Sequence, residues 1–512
     1  MSETTTAPET LDVLIIGAGI SGIGIAHYLT TMLPEKSFAM LEARGSAGGT
    51  WDLFKYPGIR SDSDLHTFGF EFKPWTDKQS IADAGRILDY LREAIDEDDL
   101  GDKIRYHHKV LAVNWSSTEC LWTVDVERTG AAGDGAPAGE RFQLKAHWVF
   151  SGAGYYNYDE GYTPEFPGLD RFTGQVVHPQ HWPEDLDYAG KKVIVIGSGA
   201  TAVTLLPAMA EKTASIVMLQ RTPTYVVPLP KHDPVANVGR VLLGDKRGYA
   251  LARVKNIAQQ RALYEVCQRF PTLSRKVIRG INKALLPDDF DVDTHFNPPY
   301  NPWDQRLCAV PDADLFQAIK KGQASVVTDR IKTFTETGIL LESGTELDAD
   351  IVITATGLNL QLFGGITVAL DGAPVDLSTT VAYRGFMLSG IPNLAFAIGY
   401  TNSSWTLKVG LLCEHFCRLL GYMDARGYPA VRPVADPAIQ TRPLLDFGAG
   451  YVKRSLANLP KQGVEEPWTM SMSYYKDRIS FGSDVADPHL EFTRTLPSAA
   501  GSAAGQLEPA AG

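Results

Sequence analysis

The stretch Asp12–Leu29, DVLIIGAGISGIGIAHYL, decides the fold of this 512-residue chain. A short apolar run is followed by Gly17, Gly19 and Gly22 and then by a segment with helical spacing. A strand, a glycine-rich turn and a helix in this order are typical of a dinucleotide-binding βαβ unit, in which the glycines allow a tight turn, close approach of a pyrophosphate and close helix–strand packing. Glu42 ends the next apolar run, FAMLE, where a carboxylate can accept hydrogen bonds from ribose hydroxyls.

The same arrangement occurs a second time, at Lys192–Ala202, where KVIVI precedes Gly197-x-Gly199. The strand that follows ends in Arg221 instead of an acid. Without a carboxylate a 2′-phosphate is not repelled, and an arginine can pair with it, which favours NADP over NAD. The alternative is that Arg221 is only a surface arginine. Two dinucleotide units in one chain suggest that FAD and NADP(H) act together, with hydride passing between them.

Composition excludes several classes of protein. Apolar residues make up 44% of the chain and charged residues 21%, as in soluble globular proteins. A net charge of −12 is unfavourable for nucleic-acid binding. Five scattered cysteines without zinc-like spacing predict no metal site and a reducing compartment. The polar N-terminus is not a signal peptide, and no apolar run reaches the roughly 18 residues of a membrane span, so we expect a cytoplasmic protein.

We therefore predict an α/β fold with two Rossmann-like dinucleotide-binding domains, for FAD and NADP, and a helical insertion. The expected parts are a disordered N-terminus (1–10), an FAD-binding domain in two parts (11–160 and 358–495), an NADP-binding domain in two parts (161–225, including a linker, and 299–357), a helical insertion (226–298) and a disordered tail (496–512).

The helical insertion is basic. Between Asp245 and Lys283 the chain has ten Lys or Arg and two acids, a net charge of +8, which leaves −20 for the remaining chain. One interpretation is a solvated helical face that packs on an acidic neighbour. The other is a peripheral contact with anionic lipid, at the surface of a membrane, or with another protein.

Two further segments carry a family resemblance. Gly48–Asp62, GGTWDLFKYPGIRSD, and Phe172–Pro183, FTGQVVHPQHWP, resemble the two fingerprints of the type I Baeyer–Villiger monooxygenases. Longer blocks, among them SDSDLHTFGFEFKPW, YNPWDQRLC and GYTNSSWTLK, are similar to the mycobacterial subgroup that activates the thioamide ethionamide. The resemblance covers about residues 11–495.

The resemblance implies an NADPH-dependent flavoprotein in which a C4a-peroxyflavin, formed from FAD and O₂, inserts oxygen beside a ketone carbonyl and oxidises sulfides or thioamides. A peroxyanion needs a fixed positive charge beside it. The family position for this charge falls on Arg306, and the carboxylate that holds it falls on Asp62; a purely structural ion pair is the alternative. Gln305 stands where many members have lysine, which leaves Arg221 to carry more of the 2′-phosphate contact.

The predicted site residues, from the glycine motifs and from the resemblance together, form three groups. The FAD-side residues are Gly17, Gly19, Gly22, Glu42, Gly49, Thr50, Trp51 and Asp62. The NADP-side residues are Gly197, Gly199, Ala200, Thr201, Arg221, Thr222 and Gln305. The fingerprint and linker residues are Phe172, Gly174, His178, Trp182 and Pro183, and we expect His178 to couple the domains instead of acting as a base.

Three other functions stay open at this stage. An N- or S-oxygenating flavin monooxygenase without physiological ketone turnover would use the same peroxyflavin. A flavin reductase acting on a disulfide would need a redox cysteine pair, and no CxxC pair occurs. A nucleotide sensor without catalysis would not explain an Arg/Asp pair beside a flavin.

Overall fold

The computed structural model describes residues 8–130, 137–445, 448, 450–494 and 507–509 of the chain. The α-helices in this part are Ile20–Met32, Thr50–Leu53, Leu65–Phe68, Ala84–Glu97, Ala200–Met209, Pro234–Leu243, Asp245–Arg269, Pro271–Leu285, Val292–His295, Asp314–Lys320, Trp405–Arg426, Gly450–Ser455 and Tyr474–Gly482. Short 3₁₀ helices are Gly101–Lys103, Leu169–Arg171, Pro179–His181, Leu362–Gly365, Leu377–Thr379 and Leu456–Asn458.

The larger sheet is built around the first apolar run of the sequence. The strand Thr10–Ile16 lies between Phe38–Leu41 and Arg141–Ser151 and runs parallel to both. The sheet has the strand order Ala373–Pro374, Thr367–Leu370, His108–Ser116, Leu121–Arg128, Arg141–Ser151, Thr10–Ile16, Phe38–Leu41 and Ile104–Arg105, with Leu394–Phe396, Met387–Leu388 and Ala382–Tyr383 branching from Arg141–Ser151.

Both faces of this central strand are covered, which explains its continuous apolar run. Val13 and Ile15 join one hydrophobic cluster, with Leu412 of helix Trp405–Arg426. Leu14, on the other face, joins a second cluster that contains Trp122. The alternation of strand side chains therefore places the strand between two apolar layers and aims its carboxyl end at the glycine turn.

The second sheet is smaller and fully parallel. Its strand order is Ser325–Thr328, Ser215–Gln220, Lys192–Ile196, Ile351–Thr354 and Gln175–Val177. Helix Ala200–Met209 follows the central strand, as in the first unit. The predicted α/β architecture with two Rossmann-like sheets is confirmed.

Smaller strand groups complete the described chain. They are Val226–Leu229 with Cys308–Pro311; Ile331–Phe334, Gly338–Leu341 and Glu346–Asp348; Leu358–Leu360 with Tyr156–Gly161; Ala430–Pro433, Leu490–Thr493 and Leu507–Pro509; and Thr441–Pro443 with Lys461–Gly463.

Most of the two segments expected to be disordered, 1–10 and 496–512, lies outside the described residues. Within them, Thr10 begins the first strand, and Leu507–Pro509 pairs antiparallel with Leu490–Thr493. The expected helical insertion contains three consecutive helices between residues 234 and 285. Across the described ranges, every helix is too short or too polar to cross a bilayer.

Candidate functional site

A cavity of about 560 Å³ opens at the carboxyl end of the larger sheet. Sites at this edge of parallel sheets are the rule in α/β folds, since the strand-to-helix turns meet there. The cavity brings together most of the predicted FAD-side residues with the predicted catalytic pair. These lining residues are Gly17, Gly19, Glu42, Gly49, Thr50, Trp51, Asp62 and Arg306.

The glycine turn has the backbone that a phosphate cradle needs. Gly17 has φ +91°, a conformation that favours glycine. A Cβ on Gly22 would lie 2.0 Å from the carbonyl oxygen of Gly17, so only glycine fits there. Gly19 begins helix Ile20–Met32, and no side chain from the described residues caps its N–H groups. Those N–H groups are oriented for an anion such as a pyrophosphate.

Glu42 also lines the cavity and is buried. Its Oε2 accepts a hydrogen bond from the Ala18 N–H at 2.9 Å, and Oε1 accepts one from the Arg44 N–H at 3.0 Å. Burial raises the pKa of Glu42, and these two N–H donors partly offset that rise. The carboxylate is thus fixed by backbone and has lone pairs left for ribose hydroxyls.

The second FAD-side segment closes over the glycine turn. Gly49 has φ +56°, and a Cβ there would lie 3.1 Å from the Cα of Gly19, so the two backbones approach closely. Thr50 Oγ1 lies 3.0 Å from the hydroxyl of Tyr158. Trp51 packs edge-on against Phe68, with ring centroids 5.5 Å apart. Glycine at both positions thus lets the two backbones meet in the wall of the cavity.

The predicted catalytic pair is joined across 244 residues of sequence. Arg306 Nη2 donates to Asp62 Oδ1 at 2.9 Å, and the two side chains are 39% and 28% exposed. Both residues line the cavity. A guanidinium positioned by a carboxylate in the wall of a cavity is a suitable arrangement for stabilising an anion.

The NADP-side residues lie apart from this cavity, at the corresponding edge of the smaller sheet. Gly197 has φ +135°, and a Cβ there would lie 2.3 Å from the carbonyl oxygen of Ala355. Gly199 precedes helix Ala200–Met209, and a Cβ on it would meet no described atom within 4 Å. The space in front of this helix is open, and its first-turn N–H groups have no capping side chain among the described residues.

Arg221 follows the strand Ser215–Gln220 directly and is exposed. Its neighbour Thr222 accepts a hydrogen bond at its carbonyl from Ser198 Oγ, within the glycine turn, at 3.0 Å. Gln305 is half-buried beside Arg306. These positions put one exposed cation near the second glycine turn, as a 2′-phosphate contact requires.

The segment Gly48–Asp62 connects the two units. Gly58, with φ +77°, rests on helix Ala200–Met209, where a Cβ would lie 2.7 Å from the Cβ of Ala208. Tyr56 is buried, and its hydroxyl hydrogen-bonds Thr201. The segment thus lines the cavity at Gly49, packs on the NADP-side helix at Gly58 and reaches Arg306 at Asp62.

The fingerprint residues lie around the strand Gln175–Val177, at the edge of the smaller sheet. His178 Nε2 contacts the carbonyl of Gly357 at 3.2 Å, and Nδ1 accepts from the Gln180 N–H at 3.2 Å. Burial lowers the pKa of His178, so the neutral ring with a proton on Nε2 satisfies both contacts. A Cβ on Gly161 would lie 2.0 Å from the His178 ring, so the chain packs tightly around it.

The other fingerprint residues have packing contacts. The rings of Phe172 and Phe334 are 5.9 Å apart, and a Cβ on Gly174 would lie 2.4 Å from the Asp350 carbonyl oxygen. Trp182 packs against the apolar cluster around helix Ala200–Met209. The carbonyl of Pro183 accepts a hydrogen bond from the Leu186 N–H. Both ring nitrogens of His178 and the side chain of Trp182 are thus engaged in contacts within the protein.

Several cavity residues had no predicted role. They are Tyr155, Tyr156, Tyr158, Phe363, Tyr400, Ser403 and Trp405. The blocks YYNYDEGY and GYTNSSWTLK contain most of them, but nothing in those blocks repeats a chemical motif. Burial raises the pKa of Tyr158 to about 12, so its hydroxyl keeps its proton at neutral pH. A run of aromatic residues next to a glycine motif is the one signal that could have pointed to them.

Comparison with known proteins adds to this geometry. The profile described as flavin-binding monooxygenase-like matches residues 70–364, and an NAD(P)-binding Rossmann-like domain profile matches residues 15–79. The FAD-containing monooxygenase EthA of Mycobacterium tuberculosis (strain ATCC 25618 / H37Rv) is 51% identical over 491 residues, which cover 95% of this chain and 98% of the relative.

A second sequence relative and a solved structure are also similar to this chain. EthA of Mycolicibacterium smegmatis (strain ATCC 700084 / mc(2)155) is 50% identical, over 95% of this chain and 98% of the relative. The structure titled oxidized steroid monooxygenase bound to NADP has a TM-score of 0.74 at 22% identity and covers 95% of this chain and 100% of its own. That likeness extends to the fold of nearly the whole chain.

Proposed function

The chain belongs to the flavin-binding monooxygenase-like family, and from this we propose that it inserts one oxygen atom beside a ketone carbonyl and also oxidises sulfides or thioamides. It is an FAD-containing, NADPH-dependent monooxygenase of the Baeyer–Villiger type, as its resemblance predicted. In the proposed reaction a ketone, O₂, NADPH and a proton give an ester or lactone, NADP⁺ and water. One atom of O₂ enters the product, and NADPH supplies the two electrons that reduce the other atom to water.

FAD supplies the chemistry that activates O₂ once NADPH has reduced it. Around it, the N–H groups after Gly19 would hold the pyrophosphate, and Glu42 the ribose. Gly49, Thr50 and Trp51 would cover the opposite side. The glycine contacts described above support this assignment, because a side chain at Gly22 or Gly49 would press on the backbone of the glycine turn.

NADPH would lie against the second glycine turn. The residues that would hold it are Gly197, Gly199, Ala200, Thr201, Arg221, Thr222 and Gln305. Arg221 carries the charge that would distinguish a 2′-phosphate from a hydroxyl. Because Gln305 is uncharged, this discrimination rests mostly on one residue.

The observation that carries the proposal is the ion pair of Arg306 and Asp62 in the wall of the cavity. Negative charge develops on oxygen during its transfer to a carbonyl. Arg306 would stabilise this charge with donors that are already fixed, which needs no rearrangement at the moment of reaction. Asp62 would position the guanidinium. His178 would link the domains through Gly357 and would not take a proton from the substrate.

Thiol chemistry is unfavourable in this protein. All five cysteines are free and buried. Burial raises the pKa of Cys308, the one next to the Arg306 segment, to about 12, which suppresses the reactive thiolate. A disulfide reductase function therefore has no support from these residues. The cytoplasmic location expected from the sequence stays a prediction.

The test uses the purified holoenzyme with NADPH, ¹⁸O₂ and a panel of linear ketones, aryl ketones and aryl methyl sulfides, with products identified by mass spectrometry. We expect an ester with one ¹⁸O per molecule and a sulfoxide, each with NADPH consumption coupled to product. Formation of H₂O₂ alone would refute oxygen transfer. Sulfoxide formation without any ester would favour the N- or S-oxygenating alternative.

A further inference from the structure

The three helices between residues 234 and 285 carry most of the large apolar side chains that are exposed among the described residues. Nineteen large apolar side chains are exposed among the described residues, and thirteen of them lie between Val235 and Ile281. Val241 is 82% exposed and Leu242 is 74% exposed. A concentration of this kind marks a surface that binds something, whereas isolated exposed apolar residues need no explanation.

The exposed residues follow the helical repeat. In helix Pro271–Leu285, Leu273, Val277 and Ile281 are exposed and four residues apart, so they share one face. The neighbouring row, Ser274, Ile278 and Asn282, is buried. In the long helix Asp245–Arg269, Leu251 and Val254 are exposed in the first half and Leu263 and Val266 in the second half, three residues apart in each case. We call the exposed apolar residues between Val235 and Ile281, with the basic residues among them, the insert face.

Cations accompany the apolar residues. Lys246, Arg247, Lys276 and Lys283 are exposed, and no carboxylate of the described chain lies within salt-bridge distance of any of them. Other basic residues of the insert are used within the protein: Lys255 pairs with Asp233 at 2.6 Å and Arg279 with Asp293 at 2.5 Å. The cations without such partners are thus on the same helices as the apolar stripes.

We propose that the insert face docks on an anionic lipid surface. Apolar residues flanked by lysine and arginine on a helix are the composition of helices that lie in the membrane interface, where the apolar side enters the acyl boundary and the cations meet lipid phosphates. A second copy of this chain fits less well, because a symmetric pairing would bring two sets of unneutralised cations together.

The inner side of the long helix is mounted rigidly on the protein. Arg253, buried, donates to the carbonyls of His66, Thr67 and Gly69 at 2.9–3.2 Å. Asn256 Nδ2 donates to Asp64 at 2.8 Å. A helix fixed by these bonds can present its outer face to a surface without losing its order, so docking costs little conformational entropy.

The experiment is flotation of the FAD-loaded full-length protein with vesicles of phosphatidylcholine alone or with phosphatidylglycerol added. We expect binding to the phosphatidylglycerol vesicles that weakens as salt rises. Each basic residue near an anionic surface contributes about fivefold to the partition constant, so K276E/K283E should lower it at least about 25-fold. V241S/L242S should lower it about tenfold, at high salt as well, because apolar area is lost.

Matched controls separate docking from general surface effects. Ile479→Ser removes an apolar residue that is 77% exposed outside the insert, and Lys191→Glu reverses an exposed charge on the smaller sheet's side. Both should bind vesicles like the unmodified protein, and circular dichroism should show equal melting temperatures for all variants. Equal binding to neutral vesicles, equal losses in the controls, or a dimer in light scattering that V241S/L242S dissociates would each overturn the proposal. Ester formation is not a readout here, so failure of the proposed oxygenation would be seen separately.

Discussion

Replacing Arg306 and Asp62 separately should have unequal effects on oxygen transfer. If Arg306 stabilises developing negative charge, Arg306→Ala removes a donor to the reacting oxygen, and loss of one such donor typically lowers kcat by about 10²–10³. Asp62→Asn leaves that donor in place. The pair is 2.9 Å apart, but its side chains are 39% and 28% exposed, so water screens it. Exposed ion pairs of this kind contribute up to about 1 kcal/mol, so Asp62→Asn should lower the rate of oxygen transfer by no more than about fivefold.

The assay measures two rates in each variant. Ester formation under air reports oxygen transfer, and anaerobic bleaching of the flavin absorbance by NADPH reports hydride transfer. We expect hydride transfer to change little in both variants, because it depends on positioning of the two nucleotides more than on this charge. In Arg306→Ala, NADPH consumption should continue and end in H₂O₂ in place of ester.

A control distinguishes charge in the cavity from a structural ion pair. Arg60 also pairs with an aspartate, Asp314, but it is not among the described residues that line the cavity. Arg60→Ala should leave the ratio of ester to H₂O₂ unchanged. Equal losses in Asp62→Asn and Arg306→Ala, or a fall of hydride transfer together with oxygen transfer, would show that Arg306 acts only as a structural partner.

Three further outcomes follow from other parts of the chain. Arg221→Ala should raise KM for NADPH about 10- to 100-fold, the value of a hydrogen bond between charged groups, and leave NADH kinetics nearly unchanged; equal losses would refute the 2′-phosphate role. Gly22→Ala should abolish FAD binding, because the added Cβ would lie 2.0 Å from the carbonyl oxygen of Gly17. Gly24→Ala, in the same helix, is the control: its Cβ would lie 3.4 Å from the nearest atom, so the measured ratio of flavin to polypeptide should stay normal. Burial lowers the pKa of His415 to about 3, so the contribution of its neutral ring to the free energy of unfolding is fully present above pH 6.5 and is lost, by up to about 5 kcal/mol, as pH falls toward 3. His415→Gln should flatten this part of the pH dependence in urea unfolding, and an unchanged slope would contradict this assignment.

Local features of the site could be predicted from the sequence, and contacts over long distances could not. Gly17, Gly19 and Gly22 lie within six residues, so their spacing alone indicates the turn they form. Asp62 and Arg306 are 244 residues apart, and only the family resemblance could pair them. Tyr158, on the strand Tyr156–Gly161, meets Thr50, the first residue of helix Thr50–Leu53, and no sequence pattern encodes that contact.

For the helical insertion, the sequence predicts the charge but not which charged side chains are exposed. Its basic composition could be read from the sequence, but composition does not tell which charges point outward. Arg253 counts toward the +8 charge of the insert and yet lies buried against backbone carbonyls. Lys276 and Lys283 count equally in the sequence and are exposed. The distinction depends on how the helices pack, and it decides between a solvated face and a lipid-binding one.

The insert face and the cavity share one short segment of chain. Asp62 accepts a hydrogen bond from Arg306. Two residues later, Asp64 Oδ2 accepts a hydrogen bond from Gln260 Nε2, on the long helix, at 2.7 Å. Gln260 Oε1 also accepts a hydrogen bond at 2.7 Å from the hydroxyl of Ser403, which lines the cavity. The structure shows one conformation of these contacts. A ligand can change the activity of a protein through a conformational change only where the protein has two conformations that bind the ligand with different affinities. Docking should therefore leave kcat for a water-soluble ketone unchanged and lower the apparent KM for ketones that partition into the lipid, because it concentrates enzyme and substrate at one surface. A rise in kcat for the water-soluble ketone on adding vesicles would instead require a second conformation of this segment.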